Sequence, residues 1–180
     1  GYVKVKSAFA KEMAARICDQ AWRYLFEKHQ IARDDPDSWI DQPAPNLPLH
    51  GYIRTGGSAR KYLLKDIAPR AWQTQIDLVG GPHRLPDNGE TMFWGDEAIA
   101  NLGPDSRWLR PSHKQHAWHK DGWHFRHFLG SPEQGLLTVP IFTDILPRSG
   151  GTVIATDSMG PVARLLAEHP EGLYPDSVQG

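Results

Sequence analysis

Between Arg107 and Phe128 the chain places five histidines among tryptophans and phenylalanines, and no other stretch restricts its fold as strongly. Aromatic, alternating character favours strand over helix there. The centre reads Trp118-His119-Lys120-Asp121-Gly122-Trp123-His124. Side chains alternate faces along a strand, so His119 and Asp121 point one way and Lys120 the other. An imidazole and a carboxylate two residues apart can grip one face of a metal ion. They are two of the three donors of the two-histidine-one-carboxylate triad, which leaves positions on iron(II) open for substrate and oxygen.

Most other strand signals follow or closely precede this stretch. Leu136 to Leu146 is a strong apolar run, in which Pro140 implies an edge or a bulge. Pro147 to Gly151 is a turn and Thr152 to Ala155 a strand leading out of it. Thr91 to Trp94 and Ala98 to Leu102 are short apolar strands, Gly51 to Arg54 is a brief extended piece, and Tyr2 to Lys6 alternates. Helical spacing joins Phe9, Met13, Ile17, Ala21 and Leu25 in a helix over 8–28, with Ser7 as its cap and Cys18 as a small buried hydrophobe. Further short helices are expected over 58–67, 69–79 and 158–168, the last two with a proline in the first turn. Asp34 to Pro48 and Gly80 to Gly89 are connections. Successive strands without regular intervening helices argue against a doubly wound sheet. The expectation is a mainly β chain with flanking helices, an antiparallel sandwich or jelly roll.

With 180 residues the chain can form one domain with a substantial core. Its 20 basic and 21 acidic residues nearly balance, without charge runs, so neither nucleic acid nor an anionic membrane is an expected partner. The single cysteine allows no internal disulfide and fits a reducing compartment. No apolar run approaches the roughly 20 residues that span a bilayer, and no signal pattern opens the chain. A cytoplasmic location is expected. The chain starts without methionine and ends on the polar Ser177-Val178-Gln179-Gly180, so part of a longer protein is expected.

Three readings compete for His113, His116, His119, His124 and His127. They are packed or surface side chains, a zinc site, or part of an iron site. Pairs such as His113 with His116, or His124 with His127, could meet at helical spacing. Structural zinc usually recruits cysteines, however, which this region lacks, and the spacing matches no zinc signature. No Ser-His-Asp arrangement and no phosphate-cradling glycine loop is present.

Trp118 to Phe125 resembles the iron-binding segment of the phytanoyl-CoA dioxygenase family. Leu137 to Asp144, then Arg148-Ser149-Gly150-Gly151-Thr152-Val153-Ile154, is similar to that family's next hairpin, and Gly1 to Lys6 with its helix to the family's start. The resemblance covers most of the chain and is specific from Trp118 to Ser158. It implies a double-stranded β-helix (a cupin-like jelly roll), with iron(II), 2-oxoglutarate and O2 as reactants. It implies His119 and Asp121 as metal ligands and hydroxylation of an aliphatic C–H bond of a small molecule. Related halogenases carry a small residue where this chain has Asp121, so the carboxylate favours hydroxylation. Phe142 stands where the family often has an aromatic lining the cosubstrate pocket, with Thr138 on the same face of the expected strand.

The family places a second histidine ligand, and an arginine that pairs with 2-oxoglutarate, on later strands. Here His124 and His127 are too near the first two donors. His169 closes a predicted helix with no arginine after it. The missing groups are therefore expected beyond Gly180, and residues 1–180 are read as a single oxygenase domain lacking its C-terminal strands. Trp123 or Phe125 would stack on substrate or fill the barrel, and Lys120 and Arg126 would be surface charges. The rival is a non-catalytic jelly-roll binding module that keeps an incomplete metal site.

Overall fold

A computed structural model describes residues 1–39, 52–56, 60–102, 110–114, 118–122, 124–131, 136–149 and 151–174. The expectations made for Trp108, His116, Trp123 and Gly150, and for most of the loop from Asp34 to Pro48, lie outside them. The chain gathers into two compact units. One comprises residues 4–109 and 140–151, the other residues 1–3, 110–139 and 152–180.

The larger unit begins with α1, Lys11–His29, followed by β1 (Tyr52–Thr55), β2 (Lys61–Leu63), α2 (Leu64–Ile67), α3 (Pro69–Leu78), β3 (Phe93–Gly95) and β4 (Ala98–Asn101). Of the expected apolar stripe of α1, Met13, Ile17 and Leu25 are buried. The helix ends in a left-handed (αL) cap built without glycine. Gln30 takes the left-handed conformation at φ 57°, Ile31 N–H donates to Leu25 O, and Gln30 N–H donates to Phe26 O. The carbonyls of Leu25 and Phe26 are thereby satisfied, and Ile31 folds back onto Leu25 in one buried cluster with Ile53. Trp22, Trp39, Ala100 and Leu102 cover that cluster.

β1 and β4 pair antiparallel from Tyr52↔Asn101 to Thr55↔Ala98. The buried Thr55 hydroxyl bonds the peptide of Ala98 twice, donating to its carbonyl and accepting from its amide, each at 3.0 Å. β2 and β3 form a second antiparallel ribbon, Lys61↔Gly95 to Leu63↔Phe93. It leads directly into α2, and Leu64, Ala68 and Ala71 form the second buried cluster, packed by Phe9, Trp72, Met92 and Trp94. Pro69 opens α3, where a missing amide costs nothing.

Among its described residues the smaller unit holds one α-helix, α4 (Met159–Glu168), entered through a 3-10 turn at Thr156–Ser158. Its Leu166 is buried. An isolated antiparallel bridge, His127 with Leu173, ties the chain after α4 to the histidine-rich segment. No described helix is long and apolar enough to cross a membrane.

The expectation of a mainly β jelly roll is wrong for this chain. Helix, 3-10 turns included, takes 40% of the described residues and strand only 11%, in two separate two-stranded ribbons without a barrel. Among the described residues, Tyr2 to Lys6, the stretch from Arg107 to Phe128, Leu136 to Leu146 and Thr152 to Ala155 contain no strand. The reason is that alternation marks a strand's faces, but only a hydrogen-bonded neighbour makes the strand. Leu137, Val139 and Ile141 are 69%, 60% and 50% exposed, where a barrel strand would have to cover its inner face. The helix expected over 58–67 is instead strand β2 followed by the single turn α2. Ser7 does not cap α1 either. It sits at φ 51°, and Ala10 precedes the helix with no side-chain cap.

Two substitutions test this packing by denaturant unfolding. Leu64→Ala opens a cavity at the second cluster and lowers stability by about 2–5 kcal/mol. Ser7→Ala changes stability by less than about 0.5 kcal/mol, because the hydroxyl satisfies no helix amide.

Candidate metal centre

His119 and Asp121 meet, although the backbone beneath them is not a strand. His119 Nε2 donates to Asp121 Oδ1 at 3.1 Å, and the two side chains are 71% and 57% exposed. Lys120 turns the other way. Its Nζ reaches the Nδ1 of His127 at 2.7 Å, and His127 is only 2% exposed. Burial holds the Lys120 ammonium below the ordinary lysine range, and the negative charge of Asp121 partly offsets that.

The separation of the two donors matches their chemistry. Metal–nitrogen and metal–oxygen bonds of about 2.0–2.2 Å place neighbouring ligands of an octahedral ion roughly 3 Å apart. One imidazole and one carboxylate suit iron(II), manganese or zinc. His119 Nε2 and Asp121 Oδ1 therefore fit two adjacent ligand positions of one ion. Among the described residues, no group of three His, Cys, Asp or Glu side chains is placed to hold a metal.

Gly122 makes the geometry. At φ 105° it reverses the chain straight after Asp121, and Phe125 N–H donates back to its carbonyl at 3.3 Å. A Cβ at Gly122 would lie 2.3 Å from Phe125 Cζ and 2.9 Å from His127 Cε1. The rings of Phe125 and His127 lie against each other, their centroids 4.7 Å apart and their planes tilted by 39°. Beyond the turn, His127 exchanges both backbone hydrogen bonds with Leu173, at 2.8 and 2.9 Å. Arg126 donates to Glu171 O at 2.8 Å and lies over the Tyr174 ring at 4.4 Å. Gly172, at φ 76°, allows this close approach, since a Cβ there would lie 2.6 Å from Phe128 Cε1.

The remaining candidates are placed as follows. His169 ends α4 as the sequence predicts, and its Nδ1 pairs with Glu171 Oε1 at 2.7 Å. His113 and His124 are exposed. Thr138 is exposed in the smaller unit, and Phe142 is half-buried in the larger one. The Phe142 ring lies 5.3 Å from that of Phe9, and its carbonyl accepts from Cys18 Sγ at 3.7 Å. Cys18 is half-buried, and burial pushes its thiol up. Arg126 is not a bare surface charge but a clamp on the chain after α4. His127 was one histidine of five in the sequence, and nothing in its spacing marks it as buried. Asp121-Gly122, by contrast, is a turn dipeptide, and that signal was available.

Gly122→Ala forces a side chain into a strained conformation against two rings. It lowers stability by roughly 1–3 kcal/mol in chemical unfolding. The His169 hydrogen bond, with backbone help, holds the Glu171 carboxyl below its ordinary 4.5. A depressed folded value means that this stabilisation is present above 4.5 and disappears as pH falls through the folded value. NMR titration should find Glu171 ionising below 4.5, and His169→Asn should move it upward.

No protein-family model, curated protein or solved structure matches this chain.

Proposed function

We propose that this chain carries the first two metal ligands of an iron(II)/2-oxoglutarate-dependent dioxygenase that hydroxylates an aliphatic C–H bond of a small molecule. The observation that carries the reading is the 3.1 Å approach of His119 Nε2 to Asp121 Oδ1, the separation of adjacent ligands on one ion. Both side chains are more than half exposed. Iron(II), when bound, supplies oxygen activation coupled to decarboxylation of 2-oxoglutarate to succinate. The protein's part is to hold the donors in place. His119 offers a nitrogen lone pair once its proton leaves Nε2, and Asp121 offers an anionic oxygen beside it. Gly122 turns the chain away so that no side chain crowds the Asp121 carboxylate from that position.

A second reading is a non-catalytic binding module with two metal donors. It is favoured by the lack, among the described residues, of a third donor grouped with the pair. Anaerobic addition of iron(II) and 2-oxoglutarate separates the two. The oxygenase develops a weak visible charge-transfer band and releases succinate when oxygen is admitted; a folded protein that does neither is the binding module. His119→Ala should reduce succinate release by more than the roughly 100-fold that loss of an outer-shell partner costs. Unchanged turnover in that variant removes His119 from the site.

A further inference from the structure

We propose that His127 is a positioning residue: its buried ring grips the chain on both sides of Asp121 and so sets the His119–Asp121 pair at ligand spacing. The inference rests on the metal reading above and adds a residue to it that the sequence did not single out.

A polar ring this deeply buried is tolerated only with partners for both nitrogens. Lys120 Nζ has protons to give and no lone pair, so His127 Nδ1 accepts at 2.7 Å. Gly122 O can only accept, so His127 Nε2–H donates to it at 3.0 Å. Together these contacts assign the neutral Nε2–H tautomer. Its two partners are the residues immediately before and after Asp121. Drawing the Lys120 side chain inward leaves His119 and Asp121 exposed and in contact. Holding the Gly122 carbonyl fixes the reversal at φ 105° that follows Asp121.

The ring is itself held. The amide and carbonyl of His127 are both bonded to Leu173, beyond α4, and the tilted ring of Phe125 packs against the imidazole. A displacement of the ring would therefore move both ends of a three-residue segment carrying one ligand and flanking the other. Partners one step removed from a metal typically alter affinity by 10–100-fold through this kind of orientation.

The test uses the whole chain and iron(II) alone, added anaerobically, with affinity measured by calorimetry. Variants are His119→Ala, Lys120→Met, His127→Phe and His127→Gln, with unfolding midpoints recorded for each. Lys120→Met removes one contact without touching the buried ring, so it remains informative where His127→Phe loses the fold. We expect Lys120→Met and His127→Phe to weaken iron(II) binding by roughly 10–100-fold. His127→Gln, whose amide keeps one donor and one acceptor, should recover part of that loss. Long-range proton–nitrogen NMR of the metal-free protein should show His127 as the Nε2–H tautomer, a readout that general destabilisation does not produce. Equal affinity in wild type and in folded Lys120→Met and His127→Phe overturns the positioning role and leaves the metal site standing. A wild type that binds iron(II) no better than His119→Ala overturns the metal reading, and the inference with it. An Nδ1–H tautomer overturns the inference whatever the metal data show.

Discussion

The two hydrogen bonds of the buried His127 imidazole organise the smaller unit. Both nitrogens are matched by groups that can serve in only one sense, a lysine ammonium that donates and a peptide carbonyl that accepts. A ring so constrained has one orientation, and the chain about it inherits that. Gly122 and Gly172 share a cause: each lies where a Cβ would enter an aromatic ring, of Phe125 and Phe128 respectively. Positive φ at both positions lets the backbone pass close to these rings, which leave no room for a side chain.

The larger unit is held by different means. Two apolar clusters lie where α1 and α2–α3 meet short ribbons, and polar contacts close the ends of individual elements. The Ile31–Leu25 contact that ends α1 and the Thr55–Ala98 exchange that ends the β1–β4 ribbon are examples. The candidate donors lie instead on irregular chain in the smaller unit, fixed by side-chain and bridge contacts rather than by a sheet. Binding groups on loops set by a firm support are common, and here that support is a histidine ring and the segment that follows α4.

What could be read from the sequence follows the range of the interactions involved. α1, α3 and α4 were legible because four-residue spacing, Pro69 and Pro161 act within a turn or two. The turn at Pro147 was legible for similar reasons, whereas the short apolar runs of β3 and β4 became strands because distant partners lie beside them. The strand expectations from Arg107 to Phe128, from Leu136 to Leu146 and from Thr152 to Ala155 failed although the local pattern was as good. A ladder needs a partner distant in sequence, and alternation carries no information about whether one is present. The short strand Lys61–Leu63 was missed for the same reason, since its pairing with Phe93–Gly95 is what makes it a strand.

The primary structure alone determined that His119 and Asp121 would face the same way and Lys120 the other. Neighbours-but-one share a side of any locally extended backbone, a covalent constraint that survives the loss of the expected strand. Tertiary structure decided the remainder: which of the histidines is interior, and that Lys120 reaches it. Those choices depend on the backbone doubling back at Gly122 and on the peptide of Leu173, forty-six residues from His127, closing against it. Contacts across such a separation are set by packing of the folded chain, and no spacing rule along the sequence encodes them.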